Sequence, residues 1–306
     1  MLFLNAGLQT SIQDLGRAGY MHVGVSQSGA MDKTAFTLAN SLVGNSIHHP
    51  ALEITLIGPK IQFQSPLSIA ICGAQFDLYL NNEKIFNNKT IQVTKGDILE
   101  FDKLVNGARC YLAFSGELDL KKQLGSFSTN LTAKIGGYHN RQIKKGDLVR
   151  FISTKTVKKK SLGKSFHQPY SGKYLLRCTK SVESDNFSDA QHSQFFTNKY
   201  KVSQQSNRMG IRLDGKKIVD SDQIQITSSG LTQGSIQITP SGLPIISSVD
   251  GQTIGGYPRI ANVISADLSI LGQLKANDII GFEMVSNEQA HILYTQKENW
   301  LSEQIA

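Results

Sequence analysis

Residues 51–86 read ALEITLIGPKIQFQSPLSIAICGAQFDLYLNNEKIF. Apolar side chains recur through Ala51–Ile57 and Ile61–Phe63, with Gly58-Pro59 between them. Leu67–Cys72 is an apolar run that stops at Gly73, and Phe76–Leu80 alternates into Asn81-Asn82, a pair suited to a hairpin turn, before Ile85 and Phe86. Short runs separated by turn residues predict an all-β barrel or sandwich, not helices alternating with a parallel sheet.

Downstream, one unit recurs. Val93–Phe101 (VTKGDILEF) has a counterpart in Ile143–Phe151 (IKKGDLVRF) and a looser third copy in Leu274–Phe282 (LKANDIIGF). Each reads as a tight turn delivering a strand, with Gly or Asn at the strained position. Between the second and third copies, Thr154–Gly172 is polar and holds Lys155, Lys158, Lys159, Lys160 and Lys164. It reads as a solvated connector, giving domains 1–160 and 161–306. Past it, Tyr174–Cys178 starts a strand and Asp189–Asn198 suits a short helix. Ser228–Leu268 concentrates Gly230, Gly234, Gly242, Gly251, Gly255 and Gly256 around Gln252, Thr253 and Tyr257. Amide and hydroxyl groups on such a loop suit a neutral polar ligand, an amide or ureide; the same glycines also suit a plain barrel turn.

Upstream, Gln13–Pro59 is the densest stretch, punctuated by Gly16, Gly19, Gly24 and Gly29. Met31, Ala35, Leu38, Ala39 and Leu42 fall at helical spacing after Ser28, Asp32 sits in the expected first turn, and Gly44-Asn45 is a stop signal. The stretch is either a loop capping a structural helix or an anion site at a helix N-terminus. Asp14 and Arg17, three apart, pair with each other or hold a polar ligand.

Composition narrows the function. At 306 residues, 40% hydrophobic and 18% charged, the chain is globular, and its length suggests about two domains. No window approaches the ~18 apolar residues of a membrane span, and the N-terminus lacks the basic flank and long apolar stretch of a signal peptide. A cytoplasmic protein without membrane contact is expected. The net charge of +8 owes much to the lysine-rich segment, which lacks interleaved aromatics, so nucleic acid is not an expected partner. Cys72, Cys110 and Cys178 are odd in number and far apart, His48-His49 lacks zinc-site spacing, and no metal site is expected. Gly163-Lys164-Ser165 copies only the tail of a P-loop, with Lys158 where its first glycine belongs. No biotin-carrying A-M-K-M segment and no G-x-S-x-G elbow occur. The chain has no catalytic engine of its own.

Several ordered motifs resemble one family, the biotin-dependent carboxyltransferases, also called the allophanate hydrolase subunit 2 family. They are Gln13-Asp14-Leu15-Gly16-Arg17, Ser28-Gly29-Ala30-Met31-Asp32, Ala39-Asn40-Ser41-Leu42-Val43-Gly44-Asn45, Ala51-Leu52-Glu53, Ser206-Asn207-Arg208-Met209-Gly210 and Gln252-Thr253 with Gly255-Gly256-Tyr257-Pro258. The resemblance implies two cyclophilin-like β-barrel domains with a few short helices. It also implies work beside partners in a 5-oxoprolinase complex: a KipI-like protein, which is the B subunit, and the A subunit. In such a complex ATP is consumed while a small amide-like substrate, 5-oxoproline, is opened to glutamate, and no cofactor is covalently bound here. Two alternatives stay open: a non-catalytic regulator of the KipA type, and a carboxyltransferase that uses carboxybiotin on a separate chain with a urea-like acceptor. The implied catalytic residues are Asp14, Arg17 and Asp32; the implied substrate-binding residues are Ser28, Gly29, Asn40, Arg208, Gln252, Thr253 and Tyr257. Arg17 and the first amides of the helix would hold a carboxylate or oxyanion, Gln252 and Thr253 the amide edge, and the two regions are expected to share a pocket. Asp14 is expected to orient Arg17, and Asp32 to cap the helix or accept a proton. Gly251 stands where the family pattern leads one to expect arginine, and Ser181-Val182-Glu183 replaces a Gly-Pro turn.

Overall fold

A computed structural model describes residues 1–163, 170–218 and 224–305. Lys164 and Ser165 of the P-loop-like tail therefore lie outside the described residues. The chain divides into two compact units, one of Met1–Ala18, Ser28–Tyr170 and Leu301–Ala306, the other of Gly19–Gln27 and Ser171–Trp300.

The first unit holds β1 (Leu2–Asn5), β2 (Gln9–Gln13), α1 (Lys33–Leu42), β3 (Ala51–Thr55), β4 (Lys60–Gln62), β5 (Leu67–Leu80), β6 (Glu83–Ile85), β7 (Thr90–Val93) and β8 (Ile98–Phe114), followed by the small ladder of β9 (Gly116–Leu118) with β10 (Phe151–Thr154). The sheet runs β1-β4-β8-β3-β2, and β5 pairs with β6, β7 and β8. It forms a half-barrel around a core of Phe3, Ile54, Phe63, Ile71, Leu112 and Phe114. Helix α1 packs on β5 and β8, so residues 107–114 of β8 are buried at every position and show no alternation.

Two expectations change here. The apolar run does not end at Gly73: β5 continues for 14 residues, and its register with β8 shifts just past that glycine. Gly73 (φ +102°) lets the strand bend while staying paired, and a Cβ there would lie 2.6 Å from the Arg109 carbonyl oxygen. The first part of the lysine-rich segment, residues 155–162, is also docked on the first unit. Lys155 N–H donates to Ser115 O, Val157 N–H to Ser68 Oγ, Lys160 N–H to Thr90 Oγ1 and Leu162 N–H to Asn88 O. The backbone of residues 155–162 is held along the sheet while the side chains of Lys155, Lys158, Lys159 and Lys160 are exposed, which composition alone reads as a linker. The Asn81-Asn82 hairpin is present, both residues with positive φ (50° and 68°).

The three repeated turns share one device. Asp97, Asp147 and Asp278 each accept, through Oδ2, the backbone N–H three residues back, from Thr94, Lys144 and Lys275. The residue before each aspartate, Gly96, Gly146 or Asn277, has positive φ (97°, 88° and 75°). Each turn then docks by the same pair of hydrogen bonds, exchanged with Phe63, Phe3 and Val202 respectively.

The second unit contains β11 (Lys173–Lys180), α2 (Asp189–Thr197), β12 (Tyr200–Val202), β13 (Gly210–Asp214), β14 (Ser229–Gly230), β15 (Ser235–Ile238), β16 (Pro244–Ser247), β17 (Ile254–Gly255), β18 (Arg259–Val263), α3 (Leu268–Leu271), β19 (Ile279–Met284) and, up to Trp300, α4 (Asn287–Ile305). Seven strands close a barrel in the order β11-β18-β15-β16-β13-β12-β19. Helix α2 starts with a capping box between Ser188 and Gln191. Helix α4 is 19 residues long with none buried, so the helices are not all short; without an apolar stripe it left no periodic signal. Among the described residues no helix is long and apolar enough to cross a membrane.

Candidate functional site

The pleat of the barrel in the second unit decides what faces outward. Ile211, Leu213, Ile236, Ile238 and Ile246 are buried in the barrel, so the intervening Arg212, Gln237 and Ile245 project from the other face. Pairing sets these three side by side: Arg212 opposite Ile245, and Ile245 opposite Gln237. Two pairs along, on the same face, Gly210 stands opposite Ser247. This row floors a cavity of about 600 Å³, and Asn207, Met209, Ser228, Leu231, Gln252, Ile254, Gly255, Gly256 and Tyr257 complete its lining.

A small flap forms the opposite wall. β14 pairs with β17, Ser229 against Gly255, and Leu231 N–H donates to Thr253 O at 2.8 Å. Gln237 Nε2 donates to Tyr257 O at 3.1 Å. Two arginines fasten this wall. Arg208 grips Asp250, Nε to Oδ2 at 2.8 Å and Nη2 to Oδ1 at 3.3 Å, with both side chains buried. Arg259 takes both oxygens of Glu183 and also donates to Gly230 O at 2.6 Å and Ser229 Oγ at 2.7 Å. The Arg259 guanidinium holds the Glu183 carboxyl below its usual 4.5, against the opposing effect of burial.

Gln252 and Tyr257 thus line the cavity, Thr253 supplies backbone to the flap, and Arg208 holds the stem of the loop through Asp250. Glycine at 251 has a physical reason. A Cβ there would lie 2.6 Å from Ser247 Oγ and 2.9 Å from the carbonyl oxygens of Met209 and Ser248, which leaves no room for arginine in this loop. Among the described residues that line the cavity none is Asp, Glu, His, Lys or Cys, and Arg212 alone carries a formal charge. Such a cavity can bind and polarise an amide, but it brings no carboxylate or imidazole base. Arg212, Gln237 and Asn207 were not anticipated. A polar residue between buried isoleucines, as in Ser235-Ile236-Gln237-Ile238, was the available signal.

The remaining predicted residues lie in the first unit. Asp14, 6% exposed, accepts four hydrogen bonds: Ser128 Oγ (2.5 Å), Ser126 Oγ (2.6 Å), Phe127 N–H (2.7 Å) and Gly16 N–H (2.8 Å). Arg17, 1% exposed, donates through Nη2 to the Ser128 carbonyl. Ser128 therefore links the two side chains. Gly136 (φ +73°) admits this arrangement, since a Cβ there would meet Ser128 O and Arg17 Nη2. Gly29 (φ +93°) lies against the backbone of Leu15-Gly16, Ala30 N–H donates to Asp14 O, and Ser28 Oγ accepts from Asn130 Nδ2. The loops at 14–17, 28–32 and 126–130 make one buried knot.

Asp32 is the N-cap of α1, not a first-turn residue: its Oδ1 accepts Ala35 N–H at 2.9 Å. The two amides just before the helix also have protein partners, Met31 N–H on Glu53 Oε2 (3.0 Å) and Asp32 N–H on Tyr111 Oη (2.7 Å). These three amides serve internal acceptors, the side chains of Glu53, Tyr111 and Asp32. Tyr111 Oη donates to Glu53 Oε2 at 2.7 Å, and Arg109 Nε stands 3.7 Å from Glu53 Oε1. Burial, then the charges of Glu53 and Asp32, push the Tyr111 hydroxyl well above its usual value. Asn40 is wholly buried and pins the loop after α1, bonding His49 O and Asn45 Nδ2. Cys72, Cys110 and Cys178 are all buried free thiols, and no cluster of three or more His, Cys, Asp or Glu among the described residues is placed to hold a metal.

Comparison with known proteins places the chain in a family. A family model described as carboxyltransferase domain, subdomain A and B, matches residues 23–284. The chain is 34% identical over 300 residues to the C subunit of 5-oxoprolinase from Haemophilus influenzae, covering 98% of this chain and 96% of that protein. To the C subunit of the Escherichia coli 5-oxoprolinase it is 35% identical over 287 residues, covering 94% and 92%. Among solved structures, the K. lactis urea amidolyase superposes with a TM-score of 0.91 at 33% identity, over 99% of this chain and 20% of that one. The chain belongs to the carboxyltransferase family whose domain comprises subdomains A and B.

Proposed function

We propose that the chain is the C subunit of an ATP-dependent 5-oxoprolinase, opening the lactam of 5-oxoproline to glutamate together with the A subunit and a KipI-like B subunit. The observation that carries this reading is similarity to two proteins named as the C subunit of 5-oxoprolinase, over more than nine-tenths of both chains. The cavity supports it chemically. Gln252, Asn207 and Gln237 offer amide donors and acceptors, and Ser228, Ser247 and Tyr257 offer hydroxyls, a set that matches both edges of a lactam. Among the described residues of its lining none is a carboxylate or an imidazole, and in this reading the proton acceptor and the ATP chemistry come from elsewhere in the complex. The chain itself carries no covalent cofactor in this reading. Asp14, Arg17 and Asp32 then build the frame of the first unit, and Gln252 and Tyr257 meet the substrate.

A second reading is favoured by the structural match to urea amidolyase: a carboxyltransferase that passes the carboxyl group of a biotinylated chain to a urea-like nitrogen. Co-expression with the A and B subunits, followed by assay of glutamate release, separates the readings. The proposal expects release that depends on ATP, on 5-oxoproline and on this chain. Full activity without the chain overturns it, and urea carboxylation dependent on a biotinylated partner replaces it with the second reading.

A further inference from the structure

We infer that Arg212 reads a carboxylate on the ligand of the second unit's cavity, so that the ligand class is a small cyclic amide bearing an acid group, not a neutral ureide. The inference deepens the proposed function and rests on it for the amide. Its own basis is the wall opposite the flap.

Arg212 projects from the outer face of β13 beside Ile245 and Gln237, and alone among the described lining residues it carries a formal charge. Its backbone is tied down on both sides: N–H donates to Ser206 Oγ at 3.0 Å and the carbonyl accepts Ser203 N–H at 2.9 Å. The guanidinium forms no ion pair among the described residues, in contrast to Arg208, which is committed to Asp250, and Arg259, committed to Glu183. Asp214, two residues along the same strand, lines a neighbouring cavity of about 400 Å³, which Arg212, Ile245 and Tyr257 separate from the larger one. Arg212, an exposed residue, therefore stands at the edge of the amide-lined cavity with no side-chain partner among the described residues. A guanidinium so placed matches a carboxylate by two parallel hydrogen bonds. The Gln252 amide and the Tyr257 hydroxyl remain for the ring, while Gln237 already donates to the Tyr257 carbonyl. A urea-like ligand would leave the cation with water alone.

The test uses the full chain and three probes followed by calorimetric titration: 5-oxoproline, 2-pyrrolidinone, which is the same ring without the acid, and inorganic phosphate. The expected result is that the wild type binds 5-oxoproline at least about tenfold more tightly than 2-pyrrolidinone, the worth of one charge-assisted contact. In Arg212→Gln the two lactams should bind alike, and Arg212→Lys should recover part of the preference. Equal affinities in the wild type, a preference that survives in Arg212→Gln, tighter binding of phosphate than of 5-oxoproline, or no binding of 5-oxoproline at millimolar concentration would each overturn the inference. The reconstituted complex keeps the two proposals apart. If glutamate release needs this chain but its KM for 5-oxoproline is unchanged in Arg212→Gln, the place of the chain in the complex stands and the role of Arg212 falls. If the chain discriminates between the lactams yet the complex works without it, the reverse holds.

Discussion

Replacing Asp14 by alanine tests whether this carboxylate is architecture or chemistry. Its oxygens accept from Ser126, Ser128, Phe127 and Gly16, and the residue is only 6% exposed. Hydrogen bonds to a charged group contribute about 1.5–3 kcal/mol each, though not additively, and orphaned buried donors cost about 1–3 kcal/mol. Solvent entering the vacated space recovers part of that, so a loss of about 3–5 kcal/mol is the working figure for Asp14→Ala. In a unit of this size 1 kcal/mol moves the midpoint by about 2–4 °C, so Tm should fall by roughly 6–20 °C. Asp14→Asn keeps the shape but must turn an N–H₂ toward one of the donors, and should fall between the two. Thermal unfolding by circular dichroism measures all three proteins. If Asp14→Ala melts within about 2 °C of wild type while the complex loses activity, the architectural account is wrong and Asp14 acts on the substrate.

The arginine clamps give two further predictions. Arg208→Ala leaves Asp250 buried without its bidentate partner and should cost about 3–5 kcal/mol, read as a lowered denaturation midpoint; Arg208→Lys should recover only part, lacking the planar fork. Glu183 has a folded pKa below 4.5, chiefly through its hydrogen bonds to Arg259. Its contribution to stability is thus complete above pH 4.5 and is lost as pH falls through the lower folded value. Glu183→Gln should cost about 1–3 kcal/mol at neutral pH and flatten the acid limb of a stability profile. A mutant profile parallel to wild type below pH 4.5 would show that the pair adds nothing.

How much of this was legible follows from the range of each interaction. The repeated turns were readable because everything they need lies within four residues: an aspartate to accept an amide three back, and a Gly or Asn to take positive φ. Strand pattern and the Asn81-Asn82 hairpin were readable for the same reason. The family motifs pointed to the loops at 14–32 and 252–257, yet not to what those loops contact. Asp14 finds Ser126 and Ser128 more than a hundred residues away, and Asp32 meets Tyr111 across 79 positions, so no local window could distinguish a buried scaffold from a catalytic acid. The strand through Gly73 was split because a glycine that bends a paired strand looks the same as one that ends it. The floor of the cavity was missed because Arg212, Ile245 and Gln237 come from three strands, and only the register makes them neighbours.

In the proposed function this chain brings an amide-binding cavity to a 5-oxoprolinase complex. The most direct measurement is add-back: the A and B subunits are assayed for ATP-dependent glutamate release from 5-oxoproline without this chain, then with wild type, then with Gln252→Ala. The account predicts negligible release without the chain, restoration by wild type, and binding of the variant to its partners with loss of about tenfold or more in kcat/KM, as expected for one lost polar contact to the substrate. Release at the full rate before the chain is added would contradict it.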